Sequence, residues 1–117
     1  MTRSKYGAVR TTIDNITFAS KAEARRYSQL KMLEKAGQIR QLKIQPKYPL
    51  VFQVGAGGHR TANVGDYIAD FWYLRIERGV EYPVIEDVKS KPTMTPVYRL
   101  KKKMVEAIYG ITITEVA

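Results

Sequence analysis

No cysteine occurs anywhere in the chain, and His59 is its single histidine. A disulfide framework and a thiolate metal site are thereby excluded, as is any chemistry that needs two histidines. No run approaches the roughly 20 apolar residues that a membrane-crossing helix needs. The opening MTRSKYGAVRTT has no apolar core of the kind a secretory signal carries, which predicts a cytoplasmic protein. Acids are scarce as well: 11 Asp and Glu stand against 20 Lys and Arg, a formal net charge of +9. So large a surplus on one small domain favours a polyanionic partner, most often nucleic acid. Repeats, low-complexity tracts and linkers are also missing, so residues 1–117 read as a single domain with one core.

What is present alternates between strand and helix patterns. Around Asp14-Asn15, AVRTTIDNITFAS alternates as a small β-hairpin does. Ser20 reads as an N-cap, and KAEARRYSQLKMLEKAG as a helix that Gly37 ends. QIRQLKIQPKYPLVFQV predicts one bent strand or two short ones, broken near Pro46 and Pro49. The glycine-rich GAGGHRTANVG predicts a mobile loop. Its GAGGHR has the glycine content of a phosphate loop, but no Lys-Ser/Thr follows and no helix begins there. Two apolar strands, 64–75 and 80–90, come next, joined around IERG. Thr95 as N-cap with Pro96 at the first helical position starts a second helix, ended by Gly110. ITITEV closes the chain as a strand. The order predicts a mixed α/β domain with helices flanking a central sheet, behind an N-terminal hairpin.

The few acids carry most of the information. Residues two apart in a strand share a face, so Asp70 lies in line with Ile68, Trp72 and Leu74. A buried carboxylate is costly unless paired or bound to a cation. In the next strand Ile85, Asp87 and Lys89 share one face, and Val84, Glu86 and Val88 the other. Asp87, not Glu86, is therefore the companion of Lys89. Glu23 heads the apolar stripe of the first helix, followed by Tyr27, Leu30 and Leu33. In SKAE it also fits a capping box with Ser20, and the local pattern alone favours that structural role. In the second helix Lys101 falls inside the stripe Val97, Met104, Ile108, either snorkelling to water or turning a cation toward phosphate. Tyr67, Trp72 and Tyr73 could stack on bases but suit the core. Asp66 and Glu86 suit structural or outer positions, and His59 a solvated loop.

Oxygen ligands without histidine or cysteine suit hard cations such as Mg2+ or Mn2+. A cation held by Asp70 and Asp87 would offset their repulsion, activate water and polarise a phosphoryl oxygen. Lys89 could stabilise the charge that develops in the transition state. Arg26, Lys91, Arg99, Lys101, Lys102 and Lys103 would grip the backbone of DNA. Phosphodiester hydrolysis uses all of these parts.

The pattern of a helix Glu, a strand Asp and then Asp-x-Lys resembles the PD-(D/E)xK nuclease superfamily. FASKAEARRY, QPKYPL, YIADF and IEDVKS are together similar to a family of small phage-encoded proteins within it, over about Phe18 to Ile111. The resemblance implies a restriction-endonuclease-like core of order αβββαβ and metal-dependent DNA cleavage by Glu23, Asp70, Asp87 and Lys89. It also implies a metal held by Asp70, Asp87, Glu23 and the Val88 carbonyl, in the host cytoplasm if the chain is phage-encoded. Ala69 stands where the motif's name has proline, a loosely kept position. The competing expectation is a basic nucleic-acid-binding module that keeps the fold without catalysis. No segment reads as a recognition helix, so selectivity is expected from DNA shape. Cutting two strands with one site per chain predicts a twofold homodimer, and by analogy with Holliday-junction resolvases a branched or four-way substrate.

Overall fold

The computed structural model describes residues 9–117. Most of the opening MTRSKYGAVRTT lies outside the described residues. Strands β1 (Thr11–Ile13) and β2 (Ile16–Phe18) form the expected hairpin. Asp14 and Asn15 at its turn have φ of 52° and 63°, the left-handed pair that matches strand twist and that Asn and Asp tolerate best. Helix α1 (Lys21–Lys35) follows, its first turn capped by Ser20 Oγ, which accepts the Glu23 N–H at 3.1 Å. The Tyr27 hydroxyl donates to Asp14 at 2.7 Å and fastens the hairpin turn to the helix.

Six more strands and a second helix complete the chain. They are β3 (Ile39–Ile44), β4 (Lys47–Val54), β5 (Arg60–Ile68), β6 (Phe71–Glu77), β7 (Val80–Val88), α2 (Pro96–Tyr109) and β8 (Ile113–Val116). The main sheet runs in the order β3-β6-β7-β8. Its first three strands are antiparallel, while β8 lies parallel to β7, with α2 as the crossover. Such a crossover is what a parallel neighbour requires. Strands β4 and β5 pair only with each other, as a ribbon inserted between β3 and β6.

Two expectations about the strands and the loop between them need correction. The segment 64–75 is not one strand but two, parted at Ala69-Asp70, directly across from the Gln45-Pro46 break. Gln45 N–H donates to the Asp70 carbonyl at 2.9 Å, and Ala69 N–H to the Pro46 carbonyl at 3.1 Å. Pro46 has no N–H for the ladder, and Gln45 takes φ of 52°, so both strands of a long hairpin bend at one level. Apolar runs on either side hid this break. The glycine-rich stretch is likewise no long loop: only Gly55–His59 turns, and Arg60 already belongs to β5.

Each face of the main sheet has its own cover. Phe71, Tyr73, Val84 and Val88 meet Phe18 and the α1 residues Ala24, Tyr27 and Leu30. Ile85, Trp72 and Ile113 meet Leu50, Tyr67, Ala69 and the α2 residues Tyr98, Val105 and Ile108. The α2 stripe thus runs through Tyr98 and Val105, and Val97, expected inside it, is 65% exposed. Pro96 and the Thr95 cap orient the first turn so that Tyr98, not Val97, faces the sheet. Among the described residues no helix is long and apolar enough to cross a membrane.

Leu30 has no exposure and sits at the centre of the α1 layer. Leu30→Ala should cost about 2–5 kcal/mol of stability, read from urea midpoints at unchanged slope. A loss well below 1 kcal/mol would mean that α1 is not seated on the sheet as described.

Candidate active site

The break that bends the hairpin is what places Asp70. Its backbone N–H donates both to the Glu86 carbonyl (3.0 Å) and to Asp87 Oδ1 (3.0 Å). In return Asp70 Oδ2 accepts the Val88 N–H at 2.7 Å. Two side chain–backbone bonds, one in each direction, therefore lock the kink to the end of β7. Asp87 is 2% exposed, and its second oxygen accepts the hydroxyl of Tyr67 on β5.

Burial sets the electrostatics. The Asp70 carboxyl is pushed up to about 7, chiefly by desolvation, then by the negative charge of Glu23, with the Val88 N–H holding it down in part. Burial also raises Asp87, against the opposing pull of the Tyr67 hydroxyl and of Lys89. Glu23, half-buried, is raised by desolvation, while the Ala19 N–H and Lys89 lower it. Glu23, Asp70, Asp87 and Lys89 thus lie within one another's electrostatic reach. Ser20 caps through its own oxygen and the Glu23 backbone, while the Glu23 carboxylate lies within the field of Asp87 and Lys89.

Lys89 follows directly on β7, and its Nζ lies 4.3 Å from the centre of the Tyr98 ring. The face of a phenol attracts a cation, and Tyr98 is itself held by a 2.7 Å bond from its hydroxyl to Glu115. Tyr67 and Tyr98 lie with ring centres 6.4 Å apart. Two tyrosines thereby brace the Asp87–Lys89 end of the strand. Desolvation raises both phenols, so each stays protonated.

The cations expected on DNA fall into two groups. Arg26 is committed inside the fold: its guanidinium grips Glu86 with two bonds of 2.8 and 2.7 Å. Glu86 is 1% exposed and also accepts the Tyr73 hydroxyl. Lys102 is paired with Glu106 at 3.5 Å. Lys91, Arg99 and Lys103 are exposed. Lys101 donates to the Asp66 carbonyl at 3.3 Å and, with Lys89, Tyr98 and Thr95, lines an open depression beside the acids. Val88 is buried, and the bond it makes here is through its N–H.

Sequence reasoning missed the tyrosines. Tyr67 and Tyr73 suit the core, where they are, and their hydroxyls meet Asp87 and Glu86 there. A buried phenol needs a partner, and so does a buried carboxylate. Tyrosines and acids on neighbouring apolar strands were a signal for those pairs.

The chain belongs to the family DUF1064, described as a protein of unknown function, which it matches over residues 3–114. No curated protein and no solved structure matches it.

Asp70 generates a pH prediction. Its folded value of about 7 lies above the ordinary 3.8, so the folded chain binds this proton more tightly than the unfolded one. The associated stability is full below about pH 4 and is lost as pH rises through about 7. Asp70→Asn keeps an acceptor for the Val88 N–H and removes the titration. Without divalent cations, the variant should gain thermal stability relative to wild type as pH goes from acid to neutral. A difference in Tm that does not move with pH would put Asp70 in water-like surroundings.

Proposed function

We propose that the protein is a metal-dependent DNA endonuclease of the PD-(D/E)xK kind, hydrolysing phosphodiester bonds with Glu23, Asp70, Asp87 and Lys89. One observation carries the reading: Asp70, in the bend between β5 and β6, and Asp87 on β7 are brought together by the Asp70 N–H to Asp87 bond and the Val88 N–H to Asp70 bond, within the field of Glu23 and Lys89. Two mutually repelling, desolvated carboxylates are a costly way to build a scaffold. The element order supports the same reading. With the β4–β5 ribbon set aside, α1, β3, β6, β7, α2, β8 follow the αβββαβ order that the resemblance implies.

The donor set suits a hard divalent cation. Asp70, raised by burial and by Glu23, is a carboxylate short of positive charge. Among the described residues no three His, Asp or Glu side chains could hold a metal by themselves. Mg2+ is commonly bound by one or two carboxylates, completing its shell with water and substrate phosphate. Asp70 and Asp87 would hold it, with Glu23 and the Val88 carbonyl as further oxygens. When bound, the cation would polarise the scissile phosphate and ease deprotonation of water. Glu23, half-buried and within the field of Asp87 and Lys89, would orient the attacking water. Lys89, steadied by Tyr98, would meet the negative charge that builds on phosphorus. The exposed cations Lys91, Arg99 and Lys103, with Lys101 in the depression, would hold the DNA backbone. A homodimer acting on branched or four-way DNA belongs to the same proposal, because one site per chain needs a dyad to cut two strands.

A second reading has its own support. Both Asp87 oxygens already accept bonds from protein donors, as suits a structural carboxylate in a non-catalytic nucleic-acid-binding module. Cleavage separates the two. With Mg2+ or Mn2+ the protein should cut DNA, and Asp70→Asn or Asp87→Asn should abolish cutting while binding survives. Full activity in chelator, or in either variant, would overturn the mechanism.

The roles of the lysines can be told apart. Lys89→Ala should lose cleavage by two orders of magnitude or so, the size expected for one transition-state donor, with DNA affinity nearly unchanged. Lys103→Ala should instead weaken binding modestly and lower its salt dependence. Identical behaviour of the two variants would reduce Lys89 to another backbone contact.

A further inference from the structure

The β4–β5 ribbon has a base and a free end. Its basal part is tied down: Tyr109 donates to the Pro49 carbonyl at 2.6 Å, Lys101 to the Asp66 carbonyl at 3.3 Å, and Tyr67 to Asp87. Beyond this the bond that leaves 51–64 is a local one, from the Gly65 N–H to Asn63 Oδ1 at 2.9 Å, which leaves the Asn63 amide N–H groups and a second oxygen lone pair open. A bulge parts the two halves, since Pro49 faces Asp66 while Val51 already faces Asn63. Leu50 thus opposes two residues, Val64 and Gly65, and Gly65 takes φ of 146°. Bulges bend a strand and re-aim the residues beyond them.

The free half has two unlike faces. Cross-strand partners share a side, so the pairs Val51–Asn63 and Gln53–Thr61 put three polar side chains on one face. Gln53, Thr61 and Asn63 are all exposed. Arg60 and His59 stand at the tip, and 50–65 contains no acid.

We propose that this ribbon enters a groove of duplex DNA and reads base edges with Gln53, Thr61 and Asn63, while Arg60 meets a phosphate. A two-stranded ribbon fits the major groove, where Gln and Asn can bond adenine in bidentate fashion. The absence of acids on the free half, in a chain of net charge +9, suits that occupant. From the ribbon, β5 leads through Ala69 straight into Asp70, so a base-paired register would set where the acids stand on the backbone. The sequence offered no recognition helix; the ribbon supplies a groove-sized element of another kind. This inference rests on DNA as the substrate and adds how the DNA is chosen.

The test is selection from a randomised duplex pool, with binding measured in chelator so that cleavage plays no part. The wild-type chain should enrich a short motif. Gln53→Ala/Asn63→Ala should lose the enrichment, with about tenfold weaker binding to the motif, yet hold non-specific duplex as before. Arg60→Ala should weaken binding to every duplex and lower the salt slope by about one. No enrichment by wild type, or ribbon variants that bind as wild type does, would overturn the inference and leave the nuclease proposal standing. Ribbon-dependent binding without cleavage under Mg2+ would sustain the inference and sink the nuclease. Ribbon substitutions that turn a dimer into a monomer at unchanged DNA affinity would assign the ribbon to a second copy and overturn it.

Discussion

Asp70 and the end of β7 hold each other by bonds that run both ways, backbone to carboxylate and carboxylate to backbone. That pair joins three parts of the molecule. It closes the bend where the hairpin leaves the main sheet, it fixes the base of the ribbon, and it brings the acid of the bend to the acid of β7. Remove it, and the bend at Gln45-Pro46 keeps only the two ladder bonds across the break. The arrangement also has a cost, because it gathers carboxylates where water is scarce. Asp70 records that cost in its raised pKa.

Neighbouring acids on β7 show how one strand serves two purposes. Glu86 and Asp87 are both buried and point to opposite faces of the sheet. Glu86 meets an arginine and a tyrosine, so its charge is neutralised within the fold. Breaking such a buried pair from one side costs about 3–5 kcal/mol, which makes Arg26 part of the framework. Asp87 has a tyrosine and a backbone N–H but no arginine. Its opposing cation is Lys89, which lines the open depression.

Much of this was legible in the sequence. Caps at Ser20 and Thr95, the left-handed stop at Gly110 and the Asp14-Asn15 turn are local chemistry, and local chemistry is readable without tertiary knowledge. Face parity on β7 separated Glu86 from Asp87 correctly, because alternation in a strand survives any packing. The break at Ala69-Asp70 was not legible. Nothing at those two residues forbids a continuous strand, and the bend is imposed from across the ladder by Pro46 and Gln45. Arg26 could not be assigned either, since its partner lies on β7, far along the chain. Val97 and Tyr98 are adjacent apolar residues in the first turn of α2, and only packing decides that Tyr98 faces the sheet.

The proposed nuclease requires Asp70 and Asp87 to hold a cation. Titration of Mn2+ into the protein, followed by electron paramagnetic resonance, tests this without any assumption about substrate. The account predicts one bound ion per chain, competed by Mg2+, and lost or strongly weakened in Asp70→Asn and in Asp87→Asn. Binding that is absent from the wild-type chain even with DNA present, or equally strong in both variants, would contradict it.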